Sequence, residues 1–471
     1  MKKAPNIILC VMDDHQFDAL GVCGHPVADT PFLDSLAHRG VRFAEARLPG
    51  GSCGAICMPS RAMLHTGRPM FELEGNGGRM PPEHATLGER LRAVGYATAH
   101  TGKWHNDRAS LHRSFETADE WFLGGMSDPW NTPLFHHDPS GAYETTLPAI
   151  HDRKHDNTVE WRPGDHVHAG RHCTDIFCDR AARFVAERDP ERPFFVSLAL
   201  MAPHDPRTAP PAFHAKFPPE DMPLPENFLE EPRRDTGALK GRDDTLAAMP
   251  RDPEDIRRHI ADYHAMIHHL DAGLGRVMAA VEASGEADNT IFVFVGDHGL
   301  QLGRLGIMGK QCGYEHSFRV PLIAAGPGIP AGAVREDEVM HFDLYTTLLR
   351  RARAEAASDW SRDLAWESAD RATDPDLPAE RRYHLYGKTI RAYREDRFKL
   401  IEYAMPGYRA SELFDLEADP LEMHDLSEDP AHAATLRSLR ETLVRLSHRT
   451  GDRRTVYGEA FWEAFEAAER S

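Results

Sequence analysis

Asn6-Ile7-Ile8-Leu9-Cys10-Val11-Met12-Asp13-Asp14 is a short apolar run that stops at two acids. It is too short and too sharply ended in charge for a signal h-region, and far below the roughly 20 apolar residues of a membrane span. It reads instead as a strand buried on both faces, the kind found in parallel sheets. Residues 193–201 and 290–295 repeat that character, 96–101 reads as a further strand, and 41–43 is extended. Helical patterns at 31–38, 86–94, 175–187 and 255–283 alternate with them, the second opened by the capping box Thr86-Leu87-Gly88-Glu89. Such alternation predicts an α/β fold in which helices sandwich a large, mostly parallel sheet. Working residues are then expected just past the C-terminal ends of the strands.

Several groups meet that expectation. Asp13-Asp14 follow the first strand, and Gly296-Asp297-His298-Gly299 follow the strand at 290–295. Carboxylate oxygens suit a hard divalent cation such as Ca²⁺, although a lone Asp-Asp after a strand is more often a cap or turn. Gly102-Lys103-Trp104-His105 follows 96–101. In an extended segment Lys103 and His105 share one face, where an ammonium could neutralise negative oxygen charge and an imidazole could move a proton. Pro203-His204-Asp205-Pro206 follows the strand at 193–201, and Lys310 lies in a Gly-rich loop beyond His298. A different signal is Cys57-Met58-Pro59-Ser60-Arg61, continuing to Thr66-Gly67-Arg68. It sets a thiol just ahead of a proline that can open a helix, at the end where anions gather. The ordinary alternative for Cys57 is a buried structural thiol.

The unbroken Cys-x-Pro-Ser-Arg…Thr-Gly-Arg resembles the signature of type I, formylglycine-dependent sulfatases of the alkaline-phosphatase-like superfamily. Thr30-Pro31-Phe32-Leu33-Asp34-Ser35-Leu36, Tyr314-Glu315-His316-Ser317-Phe318-Arg319-Val320-Pro321 and Glu412-Leu413-Phe414-Asp415-Leu416 with Asp419-Pro420-Leu421-Glu422 resemble further elements of that family. The resemblance runs from about residue 5 to 430. It implies hydrolysis of a sulfate monoester, of a sulfated carbohydrate or an aryl or alkyl sulfate. Cys57 would be oxidised to formylglycine, whose hydrated aldehyde is the nucleophile, by a formylglycine-generating enzyme during maturation. Asp13, Asp14, Asp297 and His298 would hold one Ca²⁺, with Cys57 touching it. Arg61 and Lys103 would orient the formylglycine, and His105 would assist release of sulfate. His204 and Lys310 would bind sulfate, with Lys103 and Arg207 as further substrate contacts, and one of Lys310 and His204 would protonate the leaving alcohol. His298 resembles a subgroup with His where others have Asn, and His316 stands where many members have Glu. Phosphomonoester or phosphonate hydrolysis, and a catalytically silent glycan-binding homologue, are the competing readings.

The 471 residues carry 55 Lys and Arg against 74 Asp and Glu, a formal net charge of −19. Nothing in that balance suggests nucleic acid, and an anionic substrate must be drawn by a local cation cluster. Seven scattered cysteines, an odd number, favour free thiols in a reducing compartment. No segment reads as a membrane span, so a cytoplasmic location is expected unless a leader has been removed; a homo-oligomer is compatible with the sequence. The organisation expected is a catalytic domain at 1–350, a linker or surface segment at 351–380, and an α+β subdomain at 381–471. That subdomain carries strands near 383–386 and 397–403 and a helix at 431–448. The irregular stretches 105–170 and 203–254 are expected to form the pocket rim. They bring Trp104, Trp121, Trp130, Trp161, His136, His137, His166, His168 and Arg207 as candidate saccharide contacts, each singly more ordinary as packing or surface.

Overall fold

The computed structural model describes residues 4–150, 159–356, 358–367 and 378–470. Its centre is an eight-stranded sheet: β1 Asn6–Met12, β2 Val41–Phe43, β3 Ala97–Lys103, β4 Thr117–Phe122, β5 Phe194–Ala199, β6 Thr290–Gly296, β7 Leu322–Ala325 and β8 Ala333–Arg335. The strand order is β8-β2-β7-β6-β1-β5-β3-β4, with β7 antiparallel to both neighbours and every other pair parallel. This is the α/β sandwich that the apolar runs predicted. Side chains alternate across a strand, and β1 shows the consequence. Ile8, Cys10 and Met12 enter one core with α1 (Pro31–His38) and two helices from farther along the chain, Cys173–Glu187 and Pro253–Ala283. Ile7, Leu9 and Val11 enter the other with α2 (Cys57–Thr66) and α3 (Leu87–Ala93). Burial on both faces is why the strand reads as continuous apolar sequence.

The stretch 105–170 is more regular than its composition suggested. It contains α4 (Arg108–Ser114), the edge strand β4 and a hairpin of Thr146–Ile150 with Val159–Pro163, while 151–158 lie outside the described residues. Edge strands tolerate charge on their open side, so Asp119 and Glu120 hid β4 from a search for apolar runs. In the stretch 351–380, Leu364 and Trp366 are buried in the core, and 357 and 368–377 lie outside the described residues.

Tyr383–Tyr386, Ile390–Glu395, Phe398–Met405 and Tyr408–Asp415 form a second, antiparallel sheet. Its first strand also pairs with Gly50–Gly51, which joins it to the chain just before Cys57. One face packs on the helices Ala433–Arg449 and Val456–Arg470; the second of these was not assigned from sequence. The other face lies under the loop carrying Leu305, Ile307, Cys312 and Tyr314, and so supports Lys310 from below. Asp452 anchors the last helix: its carboxylate accepts from Arg391 Nε (2.7 Å), Tyr383 Oη (2.7 Å) and Trp462 Nε1 (2.8 Å). Burial pushes its pKa up, but Arg391 outweighs this and holds it below the usual range. A carboxyl depressed on folding contributes stability above about pH 4, lost as pH falls through the folded value. Asp452→Ala strands Arg391 in the interior and is expected to cost about 3–5 kcal/mol, read from urea unfolding.

Candidate active site

Met12 pairs with Gly296, so the parallel strands β1 and β6 end side by side. That register brings Asp13-Asp14 against Asp297-His298. Asp297 N donates to Met12 O at 2.9 Å and Asp14 N to Asp297 Oδ1 at 3.3 Å. Asp14 takes a φ of 68°, a left-handed conformation that a non-glycine residue adopts only when its surroundings hold it there. All four side chains are buried.

α2 begins at Cys57 itself, with Pro59 in its first turn. Ser60 and Arg61 dock that turn onto the strand ends. Ser60 Oγ donates to Asp297 O (2.5 Å), Arg61 Nε to Asp297 Oδ2 (3.1 Å), and Arg61 Nη1 to Lys103 O (2.9 Å). Lys103, the last residue of β3, bonds Asp13 Oδ2 and reaches Cys57 Sγ at 3.4 Å. His105 Nδ1 is 3.1 Å from the same sulfur, while Trp104 turns the other way into the core beside His65, His100 and Phe115. Lys310 Nζ donates to Asp14 Oδ1 (2.7 Å), and His204 Nε2 is 3.9 Å from Asp14 Oδ2. The structure thus gathers Asp13, Asp14, Cys57, Arg61, Lys103, His105, His204, Asp297, His298 and Lys310.

Burial raises the pKa of the Cys57 thiol, but Lys103 and His105 beside it outweigh that and hold it well below the ordinary thiol range. Burial likewise raises Asp14, and His204, Lys310 and His298 reverse the effect. Asp297 moves the other way, to about 6, through burial and the neighbouring Asp13. His105 is lowered, chiefly by burial, with the neighbouring Cys57 sulfur opposing that effect.

The donor set fits a divalent cation. Asp13 Oδ1, Asp14 Oδ2 and His298 Nε2 are buried without a hydrogen-bond partner among the described residues, an arrangement that is expensive unless something charged is bound. Ligand atoms of Asp13, Cys57 and His298 lie within 4.8 Å of one another, as do those of Asp13, Asp14 and His204.

Cys57, His105, His204 and Lys310 open onto a cavity of about 550 Å³. Its walls include Gly125, Met126, Lys240, Arg242, Gln311 and Tyr386. The stretch 203–254 therefore supplies wall as expected, but through His204 and 237–243 and not through Arg207. Arg207 does not line the cavity; its guanidinium faces His259 Nδ1 at 3.3 Å. Trp104, Trp121, Trp130, Trp161, His136, His137, His166 and His168 do not line it either. Trp121 stacks on Phe135, Trp130 packs edge-on against His172, and Trp161 is exposed on the hairpin. His316 bonds Asp18 at 3.1 Å, away from this cavity. Arg242, Gln311 and Tyr386 carried no motif in the sequence.

The model of the sulfatase family matches residues 5–354, and that of the N-sulphoglucosamine sulphohydrolase C-terminal region matches 303–449. The chain belongs to the sulfatase family. Among relatives of this sulfatase, the multifunctional alkaline phosphatase superfamily protein PehA of Trinickia caryophylli is 28% identical, covering 94% of this chain and 95% of that protein. An N-acetylglucosamine-6-O-sulfatase of Bacteroides thetaiotaomicron is 25% identical over 94% of this chain and 86% of its own. A solved protein in complex with its substrate D-glucosamine-2-N,6-O-disulfate shares the fold, with a TM-score of 0.74 at 24% identity, covering 96% of this chain and 99% of the other. The strand-end cluster is thus the candidate active site of a sulfatase with the alkaline-phosphatase fold.

Proposed function

We propose that this sulfatase releases inorganic sulfate from a sulfated saccharide, using formylglycine made from Cys57 and one bound Ca²⁺. The observation that carries the reading is the position of Cys57 Sγ. It lies on a cavity, at a helix N-terminus, within 3.4 Å of Lys103 Nζ and 3.1 Å of His105 Nδ1, beside the acids that fit a cation. Bound there, the cation and the formylglycine hydrate supply charge neutralisation and an oxygen nucleophile; Asp13, Asp14, Asp297 and His298 would hold the former.

The remaining chemistry belongs to the chain's own side chains. Lys103, pinned between Asp13 and residue 57, fixes the orientation of the reacting group and offsets negative charge there. His105 moves a proton at the residue-57 heteroatom that Sγ marks. Lys310 and His204, on the Asp14 side of the cavity, hold sulfate oxygens, and one of the two delivers a proton to the leaving alcohol oxygen. Lys240 adds positive charge in the cavity wall, local attraction that the net −19 cannot give, while Arg242 is held there by Asp205 and Asp243. Tyr386 offers a ring to a sugar face, and the named substrates of the relatives make a sulfated hexosamine the first choice.

The test is free sulfate released from a panel of mono- and oligosaccharide sulfates beside an aryl sulfate, an aryl phosphate and an aryl phosphonate. Saccharide sulfates should give the highest kcat/KM. Faster phosphonate or phosphate cleavage would favour the second reading, which the 28% likeness to a multifunctional alkaline phosphatase superfamily protein keeps in view. Dialysis against EDTA is expected to lower kcat/KM by at least about 10²-fold, with recovery on adding Ca²⁺, because the acid cluster then loses its charge partner.

A further inference from the structure

Strands β3 and β4 pair as His100↔Ala118 and then Gly102↔Trp121, so Asp119 and Glu120 together oppose Thr101. This is a bulge at the sheet edge, a device that re-aims a side chain. Glu120 accordingly sits at φ 52°, and Thr101 Oγ1 donates to its carbonyl at 3.0 Å. The redirected carboxylate, 13% exposed, meets imidazoles. His166 Nε2 is 2.9 Å from Glu120 Oε2, and His168 Nε2 is 3.0 Å from both oxygens. His136 lies flat on His166 with ring centroids 3.9 Å apart. The opposite ring nitrogens are already engaged: His166 Nδ1 by Asp165, and His136 Nδ1 by Asp119 at 3.3 Å. None of these groups lines the Cys57 cavity.

We propose that Glu120, His136, His166 and His168 form a second metal site, structural in role and suited to a borderline divalent cation such as Zn²⁺. Ligand atoms of Glu120, His136 and His166 lie within 4.8 Å of one another. Ligands at about 2.0–2.2 Å from Zn²⁺ stand somewhat over 3 Å apart in a tetrahedron, so the contacts of Glu120 with His166 (2.9 Å) and His168 (3.0 Å) need only small shifts. Imidazole with a single carboxylate suits Zn²⁺ better than Ca²⁺. A carboxylate on the far nitrogen of a ligating His fixes its tautomer and ring plane, and both Asp165 and Asp119 are placed to do so. Parallel rings cannot aim at one ion, so His136 must tilt and is the outermost ligand. The ion would tie the 134–136 and 165–168 segments to the edge strand that runs on to Gly125 and Met126 in the cavity wall.

The test strips the full-length protein with chelator, re-equilibrates it with Zn²⁺, removes loose metal and counts zinc per chain by mass spectrometry. Glu120→Gln and the double variant His166→Ala/His168→Ala should each retain one ion fewer than wild type. Zinc should raise the melting temperature of wild type more than that of either variant. If the double variant does not fold, His168→Ala, at a side chain 35% exposed, carries the comparison. Equal zinc content and equal thermal response in wild type and variants would overturn the site and leave an ordinary carboxylate–imidazole ion-pair cluster.

Discussion

Cys57→Ala is expected to remove sulfate-ester turnover by about 10⁴-fold or more while leaving the fold intact, since losing a nucleophile removes the reaction path itself. The side chain is small and 2% exposed, and its neighbours Lys103 and His105 keep other partners or the cavity. Its removal therefore leaves no buried charge stranded, and unfolding free energy should move by no more than about 1 kcal/mol. Cys57→Ser separates geometry from chemistry. It preserves a heteroatom at the same place but offers one hydroxyl where a hydrate has two, so catalytic release of sulfate should fail there also. Turnover close to wild type in Cys57→Ala, measured as kcat/KM on the preferred sulfate, would contradict the role.

Lys310→Ala should cost about 10²–10³-fold in kcat/KM, the range seen when one preorganised charge donor is removed from an active site. Lys310 is buried yet lines the cavity, and burial, which lowers its pKa, is outweighed by Asp14 and Asp243, so it stays charged. If it holds sulfate in both ground and transition states, part of the loss falls on KM. If it protonates the leaving alcohol, kcat falls most for substrates with poor leaving groups, such as sugars, and least for an aryl sulfate. Lys310→Arg keeps the charge but not the point geometry and should recover only part of the rate. An unchanged kcat/KM for both sugar and aryl sulfates would remove Lys310 from the mechanism.

The sheet was legible because burial on both faces leaves continuous apolar runs, and 6–12 and 290–296 carry that mark plainly. The acids past them were legible for the same reason, since a strand's end fixes where the next residues must lie. The edge strand β4 was not, because an open edge selects for Asp119 and Glu120 as much as for Trp121 and Phe122. The cavity wall was least legible. Arg242 and Tyr386 come from a loop and from the small sheet, brought together only by tertiary packing, with no periodicity to announce them. Of the aromatic residues named as rim candidates, Trp104 and Trp121 instead fill the core, because a large ring gains more from burial than from a solvated rim.

The most direct test pairs two readings on the same samples: mass spectrometry of the peptide containing residue 57, and initial rates of sulfate release. Protein produced with and without a formylglycine-generating enzyme gives batches that differ in the aldehyde fraction at Cys57. Rates proportional to that fraction, extrapolating to zero for the plain thiol, are the predicted result. Full multiple-turnover activity from protein whose Cys57 is wholly unmodified would contradict the account.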